Sequence, residues 1–181
     1  MSVVNLEEIG RNLRQSACFE TSFDELGLTF DDALALEVIA SSTLSLTRPP
    51  VEDGLRREAR VESPLCKKVA RSFMQPVVEC LFPIDKYPKA AKDWSLFGVN
   101  YYETGAVFPI HRDLINPDLA TIVIVSLCGV RWLRVKGHDK PLRQIKGSVT
   151  LLDGGANPEH TASCLDGPSV SIVADVPSLM Y

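Results

Sequence analysis

From about residue 94 onward, short apolar runs alternate with Gly, Pro, Asp and Asn: 97–102, 121–127, 131–135, 148–152 and 169–176. Runs this short, rich in Val, Ile and Tyr and bounded by turn residues, predict strands. Several in succession predict a sandwich or a jelly roll. The first half of the chain has a different texture. Thr29-Phe-Asp-Asp32 offers a side-chain oxygen and two carboxylates, which suits the positive end of a helix, and the Ala/Leu-rich run Ala33 to Ala40 would continue that helix. Ser41 to Glu52, with Pro49 and Pro50, reads as strand or loop. Val69, Phe73, Val77 and Leu81 recur every four residues and predict a helix over 65–81, with Pro76 expected to kink or divide it. The pattern predicts an α+β chain, a sandwich or jelly-roll core with N-terminal helices packed on one face. Residues 1–93 form a helical or mixed support region in this reading. Residues 94–181 form the core that carries the chemistry, the whole making one compact domain.

Composition narrows the function classes. The 181 residues are 45% hydrophobic and 23% charged, as in ordinary soluble domains. The longest apolar run, Leu119 to Val130, is interrupted by Thr121 and Ser126 and falls short of the roughly 20 residues a membrane span needs. The start Met1-Ser-Val-Val-Asn-Leu-Glu-Glu lacks the basic and apolar regions of a signal peptide, so a cytoplasmic protein without a membrane partner is expected. Nineteen Lys and Arg stand against 23 Asp and Glu, a formal charge of -4. A protein that grips phosphates along a nucleic acid usually carries a basic surplus, so nucleic acid is the less favoured partner. Cys18, Cys66, Cys80, Cys128 and Cys164 are spread without a C-x-x-C pair and read as reduced structural thiols.

The chemistry concentrates on two of the three histidines. His111 and Asp113 sit in Pro-Ile-His-Arg-Asp after a strand-like run, and residues two apart on an extended chain point to the same side. His160 follows the strand at 148–152 and its loop Asp153-Gly-Gly-Ala-Asn-Pro-Glu. Two neutral imidazoles and one carboxylate that leave three coordination positions open make the facial triad of non-haem Fe(II) oxygenases. His111, Asp113 and His160 are therefore both the candidate metal ligands and the candidate catalytic residues. His-Arg-Asp-Leu also occurs in kinase catalytic loops, but Asp118 stands where the required Asn would fall, and neither D-F-G nor G-x-G-x-x-G is present.

The stretch Val99-Asn-Tyr-Tyr-Glu-Thr-Gly-Ala-Val-Phe-Pro-Ile-His-Arg-Asp113 resembles the Fe(II)- and 2-oxoglutarate-dependent dioxygenases. Its motif spacing is closest to the AlkB-type branch, with Asn100 and Tyr102 as the N-x-Y element, then Gly105, then H-x-D. The resemblance extends over roughly 97–176. It implies, as fold class, α+β with a double-stranded β-helix (jelly-roll) core that binds Fe(II), 2-oxoglutarate as cosubstrate and O2, with Asn100 and Tyr102 holding 2-oxoglutarate. One departure stands out. The basic residue that many members carry shortly after the distal histidine is missing, because His160-Thr-Ala-Ser-Cys-Leu-Asp-Gly-Pro-Ser-Val-Ser171 contains none. Ser169 stands where an Arg belongs, and Ser171 matches the serine of the R-x-S pattern. A buried carboxylate needs a partner, and Arg131 or Arg134, in Val-Arg-Trp-Leu-Arg-Val, could supply it. Residues three apart on a strand face opposite sides. Arg131 is favoured, because Arg134 shares its face with Lys136. An enzyme that dispenses with 2-oxoglutarate is the other way to account for the gap.

The resemblance thus implies a dioxygenase that oxidises a small-molecule substrate. An AlkB-type nucleic-acid oxidative demethylase is one alternative. A 2-oxoglutarate-independent Fe(II) oxygenase, or a metal-binding jelly roll without catalysis, is another. Residues 131–146 hold six Lys and Arg against one acid, Asp139. That strip is either a solvated hairpin or a device that draws an anionic substrate.

Overall fold

The computed structural model describes residues 6–43, 56–60, 63–113 and 119–177. In chain order the elements are α1 (Leu6–Ser16), β1 (Cys18–Ser22), α2 (Asp32–Thr43), β2 (Arg56–Arg60), α3 (Pro64–Leu81), α4 (Pro88–Asp93), β3 (Ser95–Tyr102), β4 (Ala106–His111), β5 (Leu119–Cys128), β6 (Val130–Val135), β7 (Leu142–Ile145), β8 (Ser148–Asp153), β9 (His160–Cys164) and β10 (Ser169–Pro177). They build two antiparallel sheets, one ordered β1-β8-β5-β10-β3-β2 and the other β4-β9-β6-β7. This is the jelly-roll arrangement expected, with helices on the outer face of the larger sheet. Two strands from the first ninety residues, β1 and β2, complete the edges of that sheet.

Strand alternation divides the interior into two layers. Along β10, Val170, Ile172, Ala174 and Val176 pack with the helices, and Val123, Val125 and Leu127 of β5 join them. The intervening positions face the smaller sheet: Val173 packs there with Ile122, Ile124, Tyr102, Leu133, Val135, Leu152 and Ala162. The helical layer is mainly apolar, with Ser42 of α2 among its few buried polar side chains. The layer between the sheets is mixed, because Asn100, Arg131, Gln144, Thr150 and Ser171 occupy buried positions among the apolar ones. Buried polar groups need partners, so this second layer marks where the chemistry lies.

The helices form for local reasons. The Asp31 carboxylate accepts the Leu34 amide at 2.9 Å and caps α2. That helix runs past Ala40 to Thr43, and in its last turn the Ser42 hydroxyl donates to the Val38 carbonyl at 2.6 Å. Residues 41–43 are thus helical, and not the strand or loop that Pro49 and Pro50 suggested; 44–52 lie outside the described residues. Ser63 caps α3 by accepting the Cys66 amide, with Pro64 in the first turn. Cys66, Val69, Ala70, Phe73, Met74, Val77, Val78 and Leu81 make its buried stripe. Of the two outcomes expected at Pro76, a kink or a division, division does not occur: the helix runs unbroken from Pro64 to Leu81. Pro76 lies on the exposed face, where the carbonyl that loses its amide partner is not buried in the core.

Candidate metal centre

The triad assembles at one end of the sandwich. There β4 and β8 end, β9 begins, and β10 reaches its C-terminal residues. The sequence does this with a register shift. Ala106 pairs with Cys164 and Phe108 with Ala162, but then His111, and not Ile110, stands opposite His160. The irregularity falls on Pro109, which cannot donate to a ladder and is tolerated at such bulges. It turns Ile110 out to solvent and His111 inward. The two imidazole rings consequently lie 4.3 Å apart, centroid to centroid.

Each histidine is oriented by the carbonyl two residues before it. His111 Nδ1–H donates to Pro109 O at 2.9 Å, and His160 Nδ1–H donates to Pro158 O at 3.0 Å. A carbonyl only accepts, so both rings carry their proton on Nδ1 and direct the Nε2 lone pair elsewhere. Both lone pairs meet Asp113. His111 Nε2 is 3.5 Å from Oδ1, and His160 Nε2 is 3.5 Å from Oδ2. The Asp113 carbonyl is held in turn by Asn157 Nδ2 at 3.0 Å, from the loop leading into β9. Phe108 closes the other side of His111, its ring edge-on at 4.1 Å.

Two imidazole lone pairs aimed at a carboxylate repel unless a cation lies among them. A proton is a poor candidate at His160, because burial lowers its pKa; Asp113 and the Pro158 bond oppose that, while His111 and Arg131 reinforce it. A metal ion fits better. The donor atoms of His111, Asp113 and His160 all lie within 4.8 Å of one another. Their side chains are 24%, 35% and 7% exposed, so the cluster is closed at His160 and open to solvent toward Asp113. Nitrogen and carboxylate donors with an open side are the set that suits an octahedral divalent ion with exchangeable positions.

Deeper between the sheets lies a second charged group. Arg131 on β6 points inward and is 3% exposed. Its Nε donates to Gln144 Oε1 at 2.7 Å, and Nη1 donates to Ser171 Oγ at 2.8 Å. Gln144 Nε2 donates onward to Thr150 Oγ1 at 2.7 Å. The guanidinium carbon lies 5.0 Å from the centre of the Tyr102 ring. Asn100 stands opposite Ser171 in the β3–β10 ladder. Asn100, Tyr102 and Ser171 from the larger sheet and Arg131 from the smaller one thus meet in the buried layer between them, whereas Arg134 faces solvent beside Lys136.

The basic strip does not behave as one unit. Arg131 is inside, while Arg134, Lys136, Lys140, Arg143 and Lys146 are exposed. Lys136 pairs with Glu159 at 2.6 Å and Lys146 with Asp32 at 2.9 Å. Arg112 points away from the metal cluster and pairs with Glu159 at 3.6 Å. All five cysteines are free thiols, and burial raises the pKa of Cys18, Cys80 and Cys128. They are poor nucleophiles by that measure.

Several supporting residues lay outside the sequence reading: Phe108, Gln144, Thr150, Asn157 and Asp175. One signal was available. Pro-x-His occurs at both histidines of the cluster, 109–111 and 158–160, and in both cases the proline carbonyl fixes the ring.

No protein-family model and no curated protein is similar to this chain in sequence. Solved structures are similar in shape. A Trichoplax adhaerens prolyl hydroxylase, in complex with a hypoxia inducible factor oxygen degradation domain peptide, superposes with a TM-score of 0.62 at 12% identity, over 95% of this chain and 88% of that one. A Pseudomonas putida prolyl-4-hydroxylase gives 0.61 at 13% identity, over 96% and 98%. A viral collagen prolyl hydroxylase from Paramecium Bursaria Chlorella virus-1, in complex with 2-oxoglutarate, gives 0.61 at 10% identity, over 90% and 96%. The chain therefore has the jelly-roll fold of the 2-oxoglutarate- and Fe(II)-dependent oxygenases. Among the described residues, no helix is long and apolar enough to cross a membrane.

Proposed function

We propose that the protein is a non-haem Fe(II) and 2-oxoglutarate-dependent dioxygenase that oxidises a small-molecule substrate in the cytoplasm. One observation carries this reading: the convergence of His111, Asp113 and His160 at the end of a jelly roll, with a buried Arg131 further in. His111, Asp113 and His160 would hold the metal. Arg131 would meet the far carboxylate of 2-oxoglutarate, with Ser171, Asn100 and Tyr102 around it. When bound, Fe(II) with 2-oxoglutarate supplies oxidative decarboxylation to succinate and CO2, coupled to insertion of one oxygen atom of O2 into a substrate bond.

The chain's own part is positioning. Pro109 and Pro158 fix both rings, Asn157 holds the Asp113 backbone, and Gln144 and Ser171 aim the guanidinium. Apolar Ile122, Val135, Leu152 and Val173 keep water from the space between. Arg131 comes from β6, so it supplies from a different strand the charge missing after His160.

The likeness to the AlkB-type branch rests on Asn100, Tyr102, Gly105, His111 and Asp113. Gly105 holds a positive φ of 87° in the β3–β4 turn, as that turn requires. A nucleic-acid substrate is less well supported, given the net charge of -4 and the pairing of Lys136 and Lys146 with acids.

The test is an anaerobic titration of the metal-free protein with Fe(II), then 2-oxoglutarate, followed by visible absorption. A metal-to-ligand charge-transfer band that His160→Ala abolishes is expected. Iron uptake without a band would replace this reading with an oxygenase that draws electrons elsewhere or a non-catalytic metal site. No iron uptake would remove the metal centre altogether.

A further inference from the structure

We propose that Asp175 is the substrate-recognising carboxylate of this site, and that its substrate carries an ammonium or guanidinium group close to the bond that is oxidised. The reaction assumed is the one proposed above. Asp175 lies near the C-terminal end of β10, on the inward face that also presents Ser171 and Val173. In the ladder it stands opposite Ile122 on one side and Ser95 on the other. Ile122 and Val173 are both buried in the layer between the sheets, so the carboxylate sits against apolar side chains at the end of the sandwich where the triad opens.

Among the described residues, no hydrogen bond or ion pair engages the Asp175 carboxylate. The charged group close enough to act on it is Asp113, of the same sign, and with partial burial this raises its pKa to about 6. The other polar side chains named above in the layer between the sheets each have at least one partner, Arg131 through Nε and Nη1 though not through Nη2. A half-buried acid without one is costly, and such groups concentrate where a ligand completes them.

Charge accounting gives the sign of that ligand. A divalent ion and Arg131 bring three positive charges, which Asp113 and the two carboxylates of 2-oxoglutarate match. Among the described residues, Asp175 then remains as a negative charge without a partner near the mouth. It is outside the metal cluster, whose donors come from His111, Asp113 and His160. A substrate cation is the partner that neutralises it, through a charge-assisted hydrogen bond. This reverses the sign expected from the basic strip, whose exposed members point away from the inner wall.

The experiment compares matched pairs by calorimetry: Nα-acetyl-lysine methylamide against its norleucine counterpart, and Nα-acetyl-arginine methylamide against its citrulline counterpart. Binding is measured under argon, with and without Fe(II) and 2-oxoglutarate. The cationic member should bind about tenfold more tightly in the wild type, and Asp175→Asn should bring that ratio close to one. A ratio near one in the wild type, a ratio that Asp175→Asn leaves unchanged, or no binding by any of the four probes would overturn the assignment. The charge-transfer band reports separately on the reaction: a cation preference without the band removes the reaction and keeps the recognition, and a band without the preference does the converse.

Discussion

Arg131 Nη1 donates to Ser171 Oγ at 2.8 Å and so links the smaller sheet to the larger one across the interior. The bond places a permanent positive charge where the sandwich is otherwise closed to water, and Gln144 braces the same guanidinium from β7.

Arg131→Ala is expected to weaken 2-oxoglutarate binding on the order of a hundredfold, the usual loss when one partner of a buried charge pair is removed. Arg134→Ala, on an exposed position, should leave it unchanged. Titrating the charge-transfer band with 2-oxoglutarate measures both. Equal losses in the two variants would move the anchor off Arg131.

His160 should make the metal-free protein sensitive to acid. Burial lowers its pKa below the ordinary 6.5, so the folded state binds the proton less readily than the unfolded chain does. Its contribution to stability is complete above about 6.5 and is lost as pH falls through the lowered folded value. Urea unfolding of the chelator-treated protein at a series of pH values should show this slope, and His160→Ala should flatten it while abolishing Fe(II) uptake.

Asp175 should act in the opposite direction. Burial first, then Asp113, raises its pKa from 3.8 to about 6, so the folded state holds this proton more tightly than the unfolded chain. The stability it lends is present below about 4 and is lost as pH rises through about 6. Asp175→Asn should therefore stabilise the metal-free protein at neutral pH, by about 1 kcal/mol once solvent screening of a partly exposed group is allowed for. A loss of stability at pH 7 in the same unfolding series would contradict it.

Asn157 combines two roles that substitution can separate. Its φ of 41° is in the left-handed region, and its amide holds the Asp113 carbonyl. Asn157→Gly keeps the backbone and removes the amide. It should lower Fe(II) affinity about tenfold, as for other residues that support a metal ligand, with little change in thermal stability. Asn157→Ala should lose both affinity and stability.

The parts of this protein legible in its sequence were those carried by uniform runs. The Val- and Ile-rich strands β5, β8 and β10 and the four-residue stripe of α3 follow directly from pattern. β4 and β9 did not: Ala-Val-Phe-Pro-Ile-His carries a proline in mid-strand, and His-Thr-Ala-Ser-Cys lacks large apolar residues. Yet these two strands carry both histidines. The order of His111, Asp113 and His160 along the chain was visible, but the bulge that turns His111 inward was not. Asp175 was hidden inside an apolar strand, since its meaning depends on Asp113, more than sixty positions away along the sequence.

Because the two proline carbonyls already fix both imidazoles, the ligand set is built before any ion arrives. Loading then costs little rearrangement of the chain, and the strands around the site need not refold to release the ion. The protein should accordingly be strippable and reloadable in the folded state. A spectroscopically silent or substitution-inert divalent ion could stand in for iron, giving a ternary complex that is stable in air for study of its substrate.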